Sequence, residues 1–327
     1  MNTDRRPAFA ALTAAGLLWG TTVPASRLAL EWLAPAWLTF ARFGLAAAVL
    51  LAAAVLLAGA GARSRIRAAW TPAVLAWGAA GYGGSVIVQN AGIARTSVSH
   101  AALLVGATPV LVAIIAACWH RQVARPVAWA GFAVSLAGVG LVAAGPGGGA
   151  TVRGDGLVLA SLLLSATFTV AQGRLLHGRD PVAVTAVQFL AAAVAALLVA
   201  LVTEGTPAAP SGSGALLATI GLAGAGTLLP FTLFAYGQSR VSAEVAGAFL
   251  NLEPLVGAAA GVVVFGDPAG PLQILGGAAV LAGIALSSLP LLAAGRPGPQ
   301  AGPGRTTLPS GAAAQVSRAP PTTSWPE

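Results

Sequence analysis

Apolar residues run along this chain in stretches of about twenty, each closed by a charged residue or a Pro/Gly-rich break. Ten such stretches stand out, near 8–29, 36–58, 70–91, 97–117 and 126–145, and then near 156–175, 182–202, 214–236, 243–265 and 271–293. A helix needs roughly 20 apolar residues to cross a bilayer, so each is long enough to span. The pattern predicts an all-α integral membrane protein of ten transmembrane helices. Residues 294–327 are rich in Pro, Gly, Ser and Thr and carry no apolar period. They are expected to form a disordered cytoplasmic tail.

The stretches come in two sets. Shifting residues 92–143 by 145 positions lays Arg95-x-Ser97-x-x-x-Ala101 on Arg240-x-Ser242-x-x-x-Ala246. The same shift lays Pro126-x-x-x-x-Gly131 on Pro271-x-x-x-x-Gly276, and Leu136-Ala137-Gly138 on Leu281-Ala282-Gly283. A period this long, in an apolar chain, indicates a duplicated membrane bundle rather than a solenoid. The expected organisation is one five-helix repeat over 8–145, a linker over 146–155 and a second five-helix repeat over 156–293.

Charge decides orientation. Only 8% of residues are charged and mean hydropathy is +0.83, against about 25% charged in a soluble domain, so the chain cannot cover a water-facing surface. All 17 basic residues are arginine. They sit in short loops between apolar stretches, which sets aside a nucleic-acid partner despite the high pI. With the N-terminus inside, inner segments hold Arg5, Arg6, Arg63, Arg65, Arg67, Arg121, Arg125, Arg174, Arg179 and Arg240. Outer loops hold only Arg27, Arg95 and Arg153, with Arg42 near the outer end of the second span. The positive-inside rule then places both termini in the cytoplasm. Five spans per half is odd, so the halves insert in opposite orientations.

Two local signals are set aside. The first apolar stretch follows Arg5 and Arg6 as in a secretory signal, but it is long enough to span and many spans follow. Gly145-Pro-Gly-Gly-Gly149 lacks the Gly-Lys-Ser/Thr of a phosphate loop. Cys118 reads as a small packing residue inside its span.

Ionisable groups at membrane depth are functional candidates, because each costs at least ~2.5–3.5 kcal/mol at a helix centre. Glu253, in Asn251-Leu252-Glu253-Pro254, is foremost, and Pro254 breaks its helix by withholding a donor. The first half keeps the proline as Pro109 but has Thr108 and Gly106 where the second has Glu253 and Asn251. The break is shared architecture, whereas the polar pair belongs to one half. Glu253 is the candidate proton carrier, the bland alternative being a carboxylate satisfied by backbone or arginine. Arg42 either holds an anionic group or snorkels outward. Gln89 and Asn90 late in the third span, and Tyr236 late in the eighth, either line a cavity or bond between helices. Trp19, in Trp19-Gly20-Thr21-Thr22, reads as cavity lining or packing. Gly78, Gly81, Gly83 and Gly84 read as close helix contacts. His100, His120 and His177 have no metal-ligand spacing, and neither a metal nor a cofactor is expected.

At this point the residues resemble a known family. Gly16-x-x-Trp19-Gly20, Pro35 and Arg42 resemble the opening of an EamA domain. Pro109, Pro126-x-x-x-x-Gly131, Glu253-Pro254, Phe265-Gly266-Asp267 and the Gly276-to-Gly283 run continue the likeness over about 8–293. The resemblance implies a drug/metabolite transporter built of two inverted five-helix repeats around a central cavity. It implies a secondary carrier in the plasma membrane, an exporter of amino acids or other small metabolites by alternating access, with no enzymatic activity. A homodimer is compatible with it. Where relatives end the fourth helix in Gly-Glu this chain has Trp119-His120-Arg121, and it has Gly266-Asp267 in the second copy. A passive channel or scramblase is the alternative, and a membrane-embedded enzyme is disfavoured by the isolation of Glu253.

Overall fold

The architecture is taken from a computed structural model that describes residues 6–58, 60–120, 126–144, 151–176, 178–210, 212–238, 249 and 252–294. Asn251, the inter-repeat stretch 145–150 and the tail from 295 lie outside the described residues. Among the described residues the regular structure is all helical. Five helices are long and apolar enough to cross a membrane: Pro7–Ala29, Pro35–Leu56, Val152–Leu176, Pro181–Thr203 and Ser213–Phe234. Shorter apolar helices accompany them at Val98–Val112, Trp129–Val142, Leu252–Phe265 and Pro271–Gly283.

In chain order the helices are α1 (Arg6–Gly20), α2 (Thr22–Ala29), α3 (Pro35–Ala58), α4 (Ala60–Ala69), α5 (Pro72–Trp77), α6 (Ser85–Ile93), α7 (Val98–Val105) and α8 (Thr108–His120). The second half continues with α9 (Pro126–Ala144), α10 (Val152–Leu176), α11 (Pro181–Thr203), α12 (Ser213–Ala223), α13 (Leu229–Gln238), α14 (Leu252–Phe265) and α15 (Pro271–Ala294). Proline opens α3, α5, α9, α11 and α15 in its first turn, where its missing N–H has no intrahelical role. Thr71 and Asp180 cap α5 and α11, accepting from Val74 and Ala183 respectively.

Three features depart from the sequence expectation. The arginine-rich stretch after the second span is helical (α4) rather than a loop. Thr151 accepts from Gly154 N at 3.0 Å, so α10 starts inside the stretch read as linker. Cys118 is exposed, not packed. The outer faces of the bundle carry bare apolar side chains, among them Leu56, Val202 and Val263, as expected where the solvent is lipid.

Two segments of the bundle wind as π-helix: Gly78–Gly84 between α5 and α6, and Gly224–Leu228 between α12 and α13. They begin 146 residues apart, so the deformation is duplicated with the sequence. A Cβ at Gly78 would lie 2.7 Å from Gln188 Cα, and one at Gly83 would lie 3.1 Å from Ala192 O. The first π segment therefore presses its backbone onto α11, as its glycines suggested.

Interfaces follow the same duplication. α3 packs on α11 and α9 on α15, each helix against its repeat equivalent, while α7 packs on α14, the equivalent of α8. α1 packs on α13 as α10 packs on α6, two interfaces exchanged by the shift. Equivalent helices run antiparallel. A Cβ on Gly138 would fall 2.6 Å from Gly276 O, and one on Gly283 would fall 2.5 Å from Gly131 O, so the register of α9 rises as that of α15 descends. Gly257 meets Ala102 and Gly261 meets Ser99, which gives α14 and α7 the same opposed sense. The carboxylate of Glu204, at the end of α11, accepts from Ala36 N and Trp37 N at the start of α3.

Because α9 and α15 meet backbone to backbone, a side chain at that crossing must push them apart. Overpacking costs typically ~1–3 kcal/mol. Gly138→Leu is expected to lower the thermal unfolding temperature in detergent by several degrees. The exposed neighbour Gly140, which has open space around it, should accept Ala with little change.

Candidate functional site

The interior where the two halves meet is lined by aromatic rings. Tyr82, in the first π segment, packs against Phe43, Phe168, Phe189 and Phe231, with ring centroids 4.7–5.7 Å apart. Trp19 on α1 meets Phe231 edge to face at 5.1 Å and Phe234 at 5.3 Å. Trp19 is thus an element of this aromatic wall, half-buried rather than open to lipid. Edge-to-face pairs contribute about 0.5–1.5 kcal/mol beyond their burial, so the wall is rigid as well as apolar.

Arg42 sits against this wall and is 8% exposed. It does not snorkel. Its Nε donates to Thr227 Oγ1 at 2.5 Å and its Nη2 to Gly226 O at 3.0 Å. Both acceptors belong to the second π segment, where π winding releases carbonyls from the regular ladder. Nη1 makes no hydrogen bond to a described residue, which leaves one edge of the fork for another partner. Arg42 belongs to the first half and its acceptors to the second. Its repeat equivalent, Gln188, instead exchanges two hydrogen bonds with Gln172, at 2.8 and 2.9 Å.

Glu253 lies in the first turn of α14, where unsatisfied N–H groups and the helix dipole favour negative charge. It makes no ion pair or hydrogen bond to a described residue. Its charge and that of Arg42 lie within electrostatic reach of each other. α14 comes close to α1 because Gly16 and Gly20 carry no side chain; a Cβ at Gly20 would lie 3.0 Å from Glu253 O. Pro254 packs on Gly106, whose Cβ would fall 3.0 Å away. In the first half the matching break is visible: α7 ends at Val105, and Thr108 Oγ1 donates back to Val105 O at 2.6 Å before α8 continues through Pro109.

Of the remaining candidates, Asn90 is engaged between helices rather than with Arg42 or Glu253. Asn90 is buried and donates to Thr39 Oγ1 at 3.1 Å and Pro35 O at 3.4 Å, a bond between helices. Gln89 is half-buried and makes no hydrogen bond to a described residue. Tyr236 is 40% exposed on α13. Asn251 lies outside the described residues. Tyr82, Thr227 and Phe231 were not singled out by the sequence; the 146-residue correspondence of the two glycine-rich segments was the signal that could have found Thr227.

Asp155 was also passed over. It is buried in the first turn of α10, accepts from Thr96 Oγ1 at 2.5 Å and lies 3.2 Å from His100 Nδ1. His100 is fully buried. Nearby, Asp267 accepts from Ser99 N at 2.7 Å, and Thr151 Oγ1 donates to Arg95 O at 2.6 Å. Arg27 Nη1 donates to Ile93 O and Ala94 O. These ties all cluster at the end that carries Arg27 and Arg95. The corresponding tie among the described residues at the other end is an exposed Arg65–Asp180 pair at 3.4 Å.

A duplicated bundle of apolar helices that places Arg42 and Glu253 at membrane depth has the form of a membrane transporter. The sequence profile of the EamA-like transporter family matches residues 6–144 and again 152–289. The chain belongs to that family. It is 28% identical over 277 residues to a protein of Streptantibioticus cattleyicolor named "Probable terminal-alkyne amino-acid exporter", covering 84% of this chain and 91% of that one. It is 36% identical over 74 residues to an uncharacterized transporter of Archaeoglobus fulgidus, a match spanning 27% of that relative. Among solved structures, one crystal structure superposes with a TM-score of 0.65 at 23% identity, covering 88% of this chain and 98% of the other. That likeness concerns the fold.

Asp155→Ala would leave Thr96 Oγ1 and His100 Nδ1 buried without their acceptor, a loss of ~1–3 kcal/mol per orphaned group. Thermal unfolding of the detergent-solubilised protein should shift down by several degrees. Asp155→Asn, which keeps an acceptor oxygen, should shift it less.

Proposed function

We propose that this chain is a secondary exporter of small zwitterionic metabolites of the amino-acid type, working by alternating access in the plasma membrane. In this reading ten spans form two inverted repeats, 8–145 and 156–293, with both termini cytoplasmic. The ninth span includes α14. Antiparallel pairing of equivalent helices supports the inversion.

The observation that carries the substrate class is the charge arrangement. Arg42 from one repeat and Glu253 from the other flank one aromatic-walled interior without forming a direct ion pair. A zwitterion offers a carboxylate to the free edge of Arg42 and an ammonium group to Glu253, and the wall receives its apolar side chain. Fixed opposite charges that do not cancel each other are costly in an empty apolar interior, and such a ligand relieves both. A single cation is a poor match for a sugar phosphate, and the amino-acid exporter among the relatives points the same way. The concentration of polar ties at the outer end supports a conformation closed to the outside, as one limb of alternating access requires. Glu253, when unoccupied by substrate, is the group that would carry a coupling proton.

Counterflow of amino acids in proteoliposomes tests the reading. Removing a charge-assisted bond of about 1.5–3 kcal/mol should raise the half-saturation concentration by ~10-fold or more in Arg42→Gln. Glu253→Gln should abolish acceleration by a pH gradient while the protein still inserts. Wild-type counterflow in both variants would sink the proposal.

A further inference from the structure

Arg63, Ile66, Arg67 and Trp70 line a shallow, open cavity of about 430 Å³. Their spacing, i, i+3, i+4 and i+7, places all four on one face of α4 and its C-terminal continuation. The turn is extended to Trp70 by its N–H, which bonds Ile66 O and Arg67 O. The opposite face is already committed. Ala62 and Ala69 are buried, and Arg65 pairs with Asp180 at the start of α11. Ile66 packs into the apolar cluster around Val74, Phe168 and Val184, so α4 is pinned to the bundle.

Pinning matters because it holds Arg63 and Arg67 side by side, a turn apart, with no ion pair to either among the described residues. Like charges at this spacing repel and destabilise a helix. The positive-inside rule accounts for arginines in this segment, but it does not account for their convergence on a cavity with a half-exposed tryptophan. Trp prefers the level of the lipid headgroups, where its ring is apolar and its N–H is wet. A phosphodiester is opposite in sign to the two guanidiniums, and its two non-bridging oxygens can accept from both. Basic pockets at the cytoplasmic ends of spans are the recognised form of anionic headgroup sites.

We propose that Arg63 and Arg67, with Trp70 as the ring that marks headgroup depth, bind the phosphodiester of an anionic phospholipid of the inner leaflet. The site is remote from Arg42 and Glu253 and does not depend on what the protein transports. The bound lipid offsets the repulsion between the two arginines and fixes the helix that joins the second and third spans.

The full chain in phosphatidylcholine vesicles, doped with brominated phosphatidylglycerol, reads this through quenching of tryptophan fluorescence. The wild type should show saturable quenching beyond that given by brominated phosphatidylcholine. Arg63→Gln with Arg67→Gln should weaken the apparent affinity for the anionic lipid by roughly 30-fold, the worth of two interfacial arginines. Arg65→Gln, which removes one charge outside the cavity, should retain the excess quenching. Trp70→Phe should remove the excess while leaving quenching by the phosphatidylcholine probe unchanged, which also confirms insertion. Retention of the excess in the double variant would overturn the proposal. So would its displacement by soluble glycerol phosphate, which would assign the site to a free anion instead.

Discussion

In hydrocarbon a backbone amide has no water to bond, so every span must satisfy its own N–H and C=O groups and can vary only in how closely it approaches its neighbours. Here that freedom is spent at small residues. Gly138 against Gly276, Gly257 against Ala102 and Gly78 against α11 bring helix backbones within reach of one another. Lipid offers little hydrophobic drive for helix association, so dispersion between close surfaces must hold the bundle together. At the α9–α15 crossing the glycines recur at one offset, Gly131 with Gly276 and Gly138 with Gly283, and there the two equivalent helices pair in opposite senses. The interior that receives Arg42 and Glu253 is a consequence of that pairing.

A symmetric frame does not oblige its contents to be symmetric. At the position shared by Arg42 and Gln188, one copy keeps a cation bonded across to the opposite repeat. The other copy closes its amide on Gln172 within its own repeat. At the position shared by Thr108 and Glu253, one copy satisfies its hydroxyl on its own helix break and the other keeps a carboxylate. Each repeat contributes one uncancelled charge, and the two charges are opposite. Two identical halves would have produced like charges facing each other or none at all.

Much of this was readable in the sequence, for specific reasons. Apolar run length located the helices, and identity at an offset of 145 located the repeat, because both are one-dimensional signals. Arg42 and Glu253 stood out because charge at membrane depth is rare. The π segments were not legible, since winding a single extra residue into a turn leaves no mark on hydropathy. Arg42 was therefore a candidate without its partners, Thr227 and Gly226. Asp155 was missed because it falls beside a glycine-rich stretch that reads as linker. Its partners, Thr96 and His100, are 59 and 55 residues away and unremarkable by themselves. The helical character of α4 was hidden by its arginines, which suggest a solvated loop until Arg65 is seen to face Asp180.

The ties at the end that carries Arg27 and Arg95 share a construction that bears on how the bundle would open under the proposed alternating access. Glu204 and Asp267, from the second half, accept from Ala36, Trp37 and Ser99 in the first turns of α3 and α7, from the first half. Carboxylates at helix N-termini are stabilising, and a hydrogen bond to a charged group is worth about 1.5–3 kcal/mol net. These caps from the opposite repeat are only part-buried, so they can exchange for water as the helices part. A buried ion pair in the same place would resist separation far more strongly. The Asp155 cluster is the one tie of this group that is sealed from solvent, with His100 fully buried and Asp155 nearly so. It lies between α7 and α10, one from each half, so separating those helices must first bring water to a carboxylate that now has none. Under the proposed alternating access, the largest step in opening this end falls at Asp155 rather than at the caps.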